Sequence, residues 1–363
     1  MSKEYEMIID YIHDCYVKKN FDPQQFEFYK LRSEKEKNRV GIYKGKDRDY
    51  FFKIVNEKDF NDEEPIKTKI SPYFNIVKKY GYKQYGDLVV NLYERVNTVG
   101  INSFNYLRDN EVSIEETKER IEKFFKNYVF LQKESLNLNK MTGDRLSDMW
   151  FQGRVKSSGR AEKYYGNKFE RLLSEIKTNY SEFYPTYQEF ISNINSYLSE
   201  QNLLVEAYNH GDFHDFNFSL NGTFWDIETF GVNPLLNDFI IYYWHFYGRE
   251  DGLIYKYSPW LVPYMNNKLN KEELEKVRKL KSEVILYWYS FIEESYQKYN
   301  ILENINKEFL FKLFCRMFLI DNILNYQEID RQKVIEFFNY FLTSLDSPKE
   351  DAKKILFKNK IKF

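Results

Sequence analysis

The stretch His210–Gly231, HGDFHDFNFSLNGTFWDIETFG, crowds carboxylates, histidines and asparagines around a tight turn edged with Phe and Trp. Asn221-Gly222 is the dipeptide best suited to a two-residue type I′ loop, so FSLNGTFWDIE is expected to form a β-hairpin. That loop pairs residues whose numbers sum to 443: Leu220 with Thr223, Phe218 with Trp225, and Asn217 with Asp226. Directly opposed residues have Cβ atoms about 4.5–5.5 Å apart. Glu228, two positions beyond Asp226, shares its face if the strand continues.

An amide oxygen and one or two carboxylates would thus converge. Such hard oxygen ligands suit Mg²⁺, which takes few protein groups and completes its shell with water and phosphate oxygens. Asp212 lies five residues before Asn217, in a loop leaving the apolar strand LLVEAY, where a carboxylate can orient a hydroxyl and accept its proton. These features read as a phosphoryl-transfer centre, whose chemistry depends on positioning and charge neutralisation.

Around this stretch the chain changes period. Residues 5–17 have helical spacing. FEFYKLR (26–32), RVGIYKG (39–45) and DYFFKIV (49–55) alternate as strands. A helix is expected over 65–80, closed by Gly81, followed by strands near 82–85 and 88–95. From Ser113 the pattern turns helical, with SIEE matching a capping box and Ile121, Phe124, Phe125, Tyr128 and Leu131 forming an apolar stripe. Helices are also expected over 169–179, 186–200, 234–247, 271–299, 307–326 and 331–345. The most loop-like interior stretch is 153–166.

With 363 residues, 43% of them hydrophobic and 30% charged, the chain can build two lobes, each with its own core. A formal net charge of −1 supplies no global field for nucleic acid or an anionic membrane. Cys15 and Cys315 have no metal-like spacing, no signal peptide opens the chain, and no run reaches the roughly 18 apolar residues of a span. A cytoplasmic protein without nucleic-acid partner or membrane insertion is expected, its oligomeric state unassigned.

His210-Gly211-Asp212-Phe213-His214-Asp215-Phe216-Asn217 resembles the HGDxHxxN loop of the aminoglycoside phosphotransferase and choline kinase superfamily, and Asp226-Ile227-Glu228 resembles its metal-binding Asp with the Glu that follows in choline kinases. The resemblance implies an α+β, two-lobed protein-kinase-like fold, with a small antiparallel-sheet N-terminal lobe and a larger, mostly helical C-terminal lobe. The nucleotide-binding lobe would span 1–96. The remainder, 97–363, would hold a helical insertion (about 111–203), the catalytic loop and metal-binding hairpin (204–231) and a helical substrate region (232–363).

In that family the loop Asp is the catalytic base, a role that falls on Asp212. Asn217 and Asp226 would hold Mg²⁺ with Glu228 assisting, His210 and His214 would support the loop, and Asp238 matches the family's Asp before an aromatic-rich helix. Lys53 would contact the phosphates of ATP or GTP, and the backbone around Tyr93, Glu94 and Val96 would hold the base. No glycine cluster stands in SEKEKN between the first two strands, which departs from protein kinases. The helix glutamate that should pair with Lys53 is unassigned; Glu63 and Glu64 precede Pro65, earlier than the family places it.

The acceptor would be a hydroxyl on a small molecule: an amino alcohol, a sugar or an aminoglycoside-like antibiotic. Trp244, Trp260, Tyr264 and Trp288 could box a quaternary ammonium, but fit helix cores equally well. Glu250, Asp251, Glu293 and Glu294 suit a cationic sugar or a solvated face, and Arg154 and Arg160 suit an anion or solvent. The alternative to catalysis is a nucleotide-binding pseudokinase with a regulatory role.

Overall fold

The computed structural model describes residues 6–7, 10–11, 26–28, 40–44, 49–57, 64–96, 113–140, 174, 176–186, 188–189, 192, 203–213, 217–227, 230–242, 271–301 and 305. The chain mixes helices with antiparallel sheets and divides into two compact units. One comprises Met1–Thr98 with Thr223–Trp225, the other Val99–Gly222 with Asp226–Phe363. Among the described residues, no helix is long and apolar enough to cross a membrane.

The first unit is built on a five-stranded antiparallel sheet. Its strands are β1 (Phe26–Phe28), β2 (Val40–Lys44), β3 (Asp49–Asn56), β5 (Lys79–Tyr85) and β6 (Leu88–Glu94), in the order β1-β2-β3-β6-β5. Between β3 and β5 lie helix α1 (Glu64–Ile70) and the short strand β4 (Asn75–Ile76). Alternation sorts the side chains of β3 and β6: Phe52 and Ile54 join Val90 and Leu92 in a core with Tyr43, Met7 and Tyr11. Lys53 and Asn91 therefore share the opposite face. Gly81 has φ +153° where β5 bulges, and a Cβ there would lie 3.0 Å from the Tyr11 hydroxyl, so glycine is required.

The helix expected over 65–80 ends at Ile70 instead. Pro72 explains this: it lacks an N–H, and it disfavours helical backbone at Ser71. The freed chain extends into β4, which pairs in parallel with β10 (Thr223–Phe224), setting Phe224 opposite Ile76. Phe74 packs on Phe224 with ring centroids 4.4 Å apart.

In the second unit, α2 (Ile114–Glu134) begins as its capping signal predicts: Ser113 Oγ accepts the Glu116 N–H at 3.0 Å. The Glu116 carboxylate takes Arg120, one helical turn on, at 2.5 Å. The α2 stripe is buried, from Thr117 through Ile121, Phe124, Phe125 and Tyr128 to Leu131 and Gln132. A three-stranded antiparallel sheet of β7 (Asn137–Lys140), β8 (Leu203–Asn209) and β11 (Gly231–Pro234) runs in the order β11-β8-β7. The short strand β9 (Phe218–Ser219) follows the loop that leaves β8. Helix α3 (Leu236–Tyr242) is buried throughout, and α4 (Lys271–Lys298) packs on α2. The expected helices beyond residue 305 lie outside the described residues.

Candidate functional site

β8 delivers its last residue, Asn209, into the core and then releases the chain into a loop of His210, Gly211, Asp212 and Phe213. Three anchors hold this loop.

The first is Phe213, fully buried. Its ring stacks on Tyr128 at 4.3 Å and on Phe218 at 4.8 Å, and meets Trp288 edge-on at 5.4 Å. Phe218 in turn stacks on Phe124 at 4.4 Å. These contacts explain the aromatic residues interleaved with polar ones: alternate side chains sink into the core and leave the neighbouring polar groups at its edge. Asp212 is half-buried beside the wholly buried Phe213.

The second anchor is Asp238, in the first turn of α3 and inaccessible to solvent. Its Oδ2 accepts the His210 N–H at 2.5 Å and its Oδ1 accepts the Gly211 N–H at 3.0 Å. The Tyr128 hydroxyl also donates to Oδ2, while Asn237 Nδ2 donates to Oδ1 at 3.3 Å. Burial pushes the Asp238 carboxyl above its ordinary value, against the hydrogen bonds from Tyr128, His210 and Gly211 that favour the charged form. Burial, and then the adjoining Asp238 charge, push the Tyr128 phenol well above its ordinary value, so it remains a donor.

The third anchor is a buried polar chain. Trp288 Nε1 donates to Gln132 Oε1 at 2.8 Å, and Gln132 Nε2 donates to Asn209 Oδ1 at 2.9 Å. Asn209 Nδ2 then reaches the carbonyls of Ala207 at 3.0 Å and Asn233 at 3.1 Å. α4, α2, β8 and β11 are tied together immediately before His210. This chain was not legible in the sequence, where only a Gln in a helix stripe hinted at it. Trp288, one of four aromatic-box candidates, is a core residue here; the other three lie outside the described residues.

Within the loop, Asn217 Nδ2 donates to the Asp212 carbonyl at 2.8 Å and to its carboxylate Oδ2 at 3.3 Å. The amide nitrogen therefore faces Asp212, and the carboxamide oxygen is turned the other way. Asn217 is 5% exposed, which fixes this orientation. His210 is fully buried, and its Nδ1 accepts the Asp212 N–H at 3.4 Å.

The turn at Asn221-Gly222 departs from expectation. A type I′ loop needs positive φ at both central residues, yet Asn221 is not among the residues of positive φ. Gly222 has φ +85° and its N–H closes on the Ser219 carbonyl at 3.0 Å, giving a longer turn through Leu220 and Asn221. The pairing sum of 443 presupposes a two-residue loop and does not carry over. Asp226 is exposed and takes φ +52°, a left-handed conformation that costs a non-glycine residue about 1–2 kcal/mol. Glu228 and His214 lie outside the described residues.

In the first unit, Lys53 stands opposite Val40 on β2 and Asn91 on β6. Tyr93 is half-buried, Glu94 exposed and Val96 half-buried. The Glu94 N–H is spent on the Lys78 carbonyl at 2.8 Å, and Arg95 is paired with Asp49.

Among the described residues no group of three acidic, His or Cys side chains could hold a metal ion. The donor chemistry nonetheless fits Mg²⁺, which needs only one or two protein oxygens beside phosphate and water. Asn217 offers an oriented carboxamide oxygen and Asp226 an exposed carboxylate.

No protein-family description and no curated protein matches this chain. Among solved structures, one described as a glucosamine kinase is similar at 8% identity, over 92% of this chain and 79% of that one, with a TM-score of 0.37.

Proposed function

We propose that this chain is a Mg²⁺-dependent phosphotransferase that moves the γ-phosphoryl group of ATP or GTP onto a hydroxyl of a small molecule, an amino alcohol, a sugar or an aminoglycoside. The observation that carries this reading is the Asn217 carboxamide gripping Asp212, in a loop whose His210 and Gly211 amides are both held by buried Asp238. Such a network keeps one half-buried carboxylate in a fixed position, as phosphoryl transfer demands. The resemblance of the HGDFHDFN loop to the aminoglycoside phosphotransferase and choline kinase superfamily supports it independently.

In this reading Asp212 accepts the proton of the acceptor hydroxyl while its oxygen bonds to the γ-phosphorus. The bond from that phosphorus to the β,γ-bridging oxygen breaks, and the nucleoside diphosphate leaves. Asn217 and Asp226, with Glu228 assisting, would hold Mg²⁺, which neutralises charge on the phosphate oxygens. Lys53 would contact nucleotide phosphate, and the backbone from Tyr93 to Val96 would take the base.

The test is a pooled panel of amino alcohols, sugars, nucleosides and aminoglycosides, incubated with protein and Mg²⁺-ATP or Mg²⁺-GTP. A mass gain of one phosphoryl group on a panel member establishes the reaction. Nucleotide binding with neither transfer nor hydrolysis supports the pseudokinase alternative instead.

A further inference from the structure

Asn91 stands directly opposite Lys53 across the β3–β6 ladder, on the sheet face away from the Phe52, Ile54, Val90 and Leu92 core. It is only 3% exposed. Its Nδ2 donates to the Lys53 backbone carbonyl at 3.5 Å, whereas its Oδ1 is shielded from solvent and has no hydrogen-bond partner. Reversing the amide would set oxygen against oxygen, so the orientation is determined. A buried acceptor without a donor is costly, and its retention calls for a reason.

A side chain on the same face can supply the donor that the Asn91 oxygen lacks. Among the described residues, four flank Asn91 within the sheet on its face: Val89 and Tyr93 along β6, Lys53 on β3 and Tyr82 on β5. Valine has no donor. Tyr82 is 56% exposed, with its ring against the Lys79 ammonium at 5.5 Å, and Tyr93 turns its ring to the same ammonium at 5.6 Å. Lys53 has a flexible four-carbon stem starting about 5 Å away, the usual cross-strand Cβ separation. Its ammonium can swing onto the Asn91 oxygen.

We propose that Asn91 is a positioning residue for Lys53, its carboxamide oxygen receiving one N–H of the ammonium when the lysine engages nucleotide phosphate. This inference rests on the phosphotransferase reading, specifically on the phosphate role of Lys53.

The experiment compares Asn91→Leu, Asn91→Asp and Lys53→Ala in the full chain, reading the Mg²⁺-ATP dissociation constant by calorimetry beside the thermal midpoint. Asn91→Leu removes the orphan oxygen at similar volume. It is expected to keep or raise the midpoint while weakening Mg²⁺-ATP roughly tenfold, and Asn91→Asp, which retains an acceptor, to restore affinity to within about twofold. A merely structural Asn91 would show the reverse, a lowered midpoint with unchanged affinity, and that overturns the proposal. Equal weakness in the Leu and Asp variants overturns it too. Weak binding by Lys53→Ala with tight binding by Asn91→Leu sinks this inference alone; wild-type binding by Lys53→Ala sinks it together with the phosphate role of Lys53. Should Asn91→Leu fail to fold, Asn91→Val is read by the same criteria.

Discussion

The Asp238 carboxylate accepts the backbone N–H groups of both His210 and Gly211, at 2.5 and 3.0 Å, from a position respectively 28 and 27 residues further along the chain. A side chain that captures two successive amides fixes a loop's path more firmly than a contact to any one side chain. Either orientation of an asparagine amide at this position would turn its NH₂ towards existing donors. Asp238→Asn is therefore predicted to lose about 1–3 kcal/mol for each buried donor it orphans, read by denaturant unfolding. A loss below about 0.5 kcal/mol would show that the carboxylate does not hold the loop.

The same residue sets a pH dependence. Burial raises the folded-state pKa of Asp238 above the ordinary 3.8, so as pH falls from neutrality the folded state binds this proton before the unfolded chain does. This group alone then makes stability rise as pH drops through the folded pKa, levelling off below the unfolded value. Asp238→Asn removes that contribution. The stability advantage of wild type over the variant is expected to widen between pH 7 and pH 4; an advantage that is constant or shrinks there contradicts the direction of the shift.

Asn217 separates positioning from folding. Asn217→Ala releases the Asp212 carboxylate from its 3.3 Å contact and removes a candidate Mg²⁺ oxygen. We predict a fall in kcat of about 10²-fold or more, with a higher Mg²⁺ concentration needed for half-maximal rate. Unchanged Mg²⁺ dependence would remove Asn217 from the metal-binding role.

The proposed metal role of Asp226 falls on a residue with left-handed backbone. Asparagine tolerates left-handed backbone as aspartate does, so Asp226→Asn should match wild-type stability within about 0.5 kcal/mol while abolishing Mg²⁺-dependent turnover. Asp226→Gly should gain stability of about 1 kcal/mol at the same catalytic cost, because glycine takes φ +52° without strain. Retained turnover in either variant would move the metal role elsewhere.

The buried chain from Trp288 through Gln132 to Asn209 predicts a purely structural phenotype. Gln132→Leu strands the indole N–H and one side of the Asn209 amide, a loss of about 1–3 kcal/mol for each buried group left unpaired. Trp288→Phe added to it relieves one of those groups, so the double variant should lose less than the sum of the singles.

Signals confined to a few consecutive residues were legible before the fold was known. Ser113 caps α2 through the third residue on, and the alternation of DYFFKIV placed Phe52 and Lys53 on opposite faces of β3. Legibility failed where two local signals competed. Pro72 overrode the helical spacing that continued past Ile70, and the Asn221-Gly222 dipeptide gave way to a longer turn closed on Ser219. It failed again where partners are remote: Gln132 meets Asn209 and Trp288 across 77 and 156 residues, a separation no short motif encodes. Asp238 was visible only because the loop resembles a known pattern. Its two amide contacts give that match a physical reason.

The role of Asp212 in phosphoryl transfer is put to the test by single-turnover kinetics of Asp212→Asn beside calorimetric Mg²⁺-nucleotide binding, using whichever panel hydroxyl the wild type phosphorylates. Nucleotide affinity within about threefold of wild type is expected, with a transfer rate lower by roughly 10²–10⁴-fold, the usual contribution of a positioned base. Near-wild-type transfer by Asp212→Asn, or no phosphorylated product from wild type that binds Mg²⁺-nucleotide, would contradict that role.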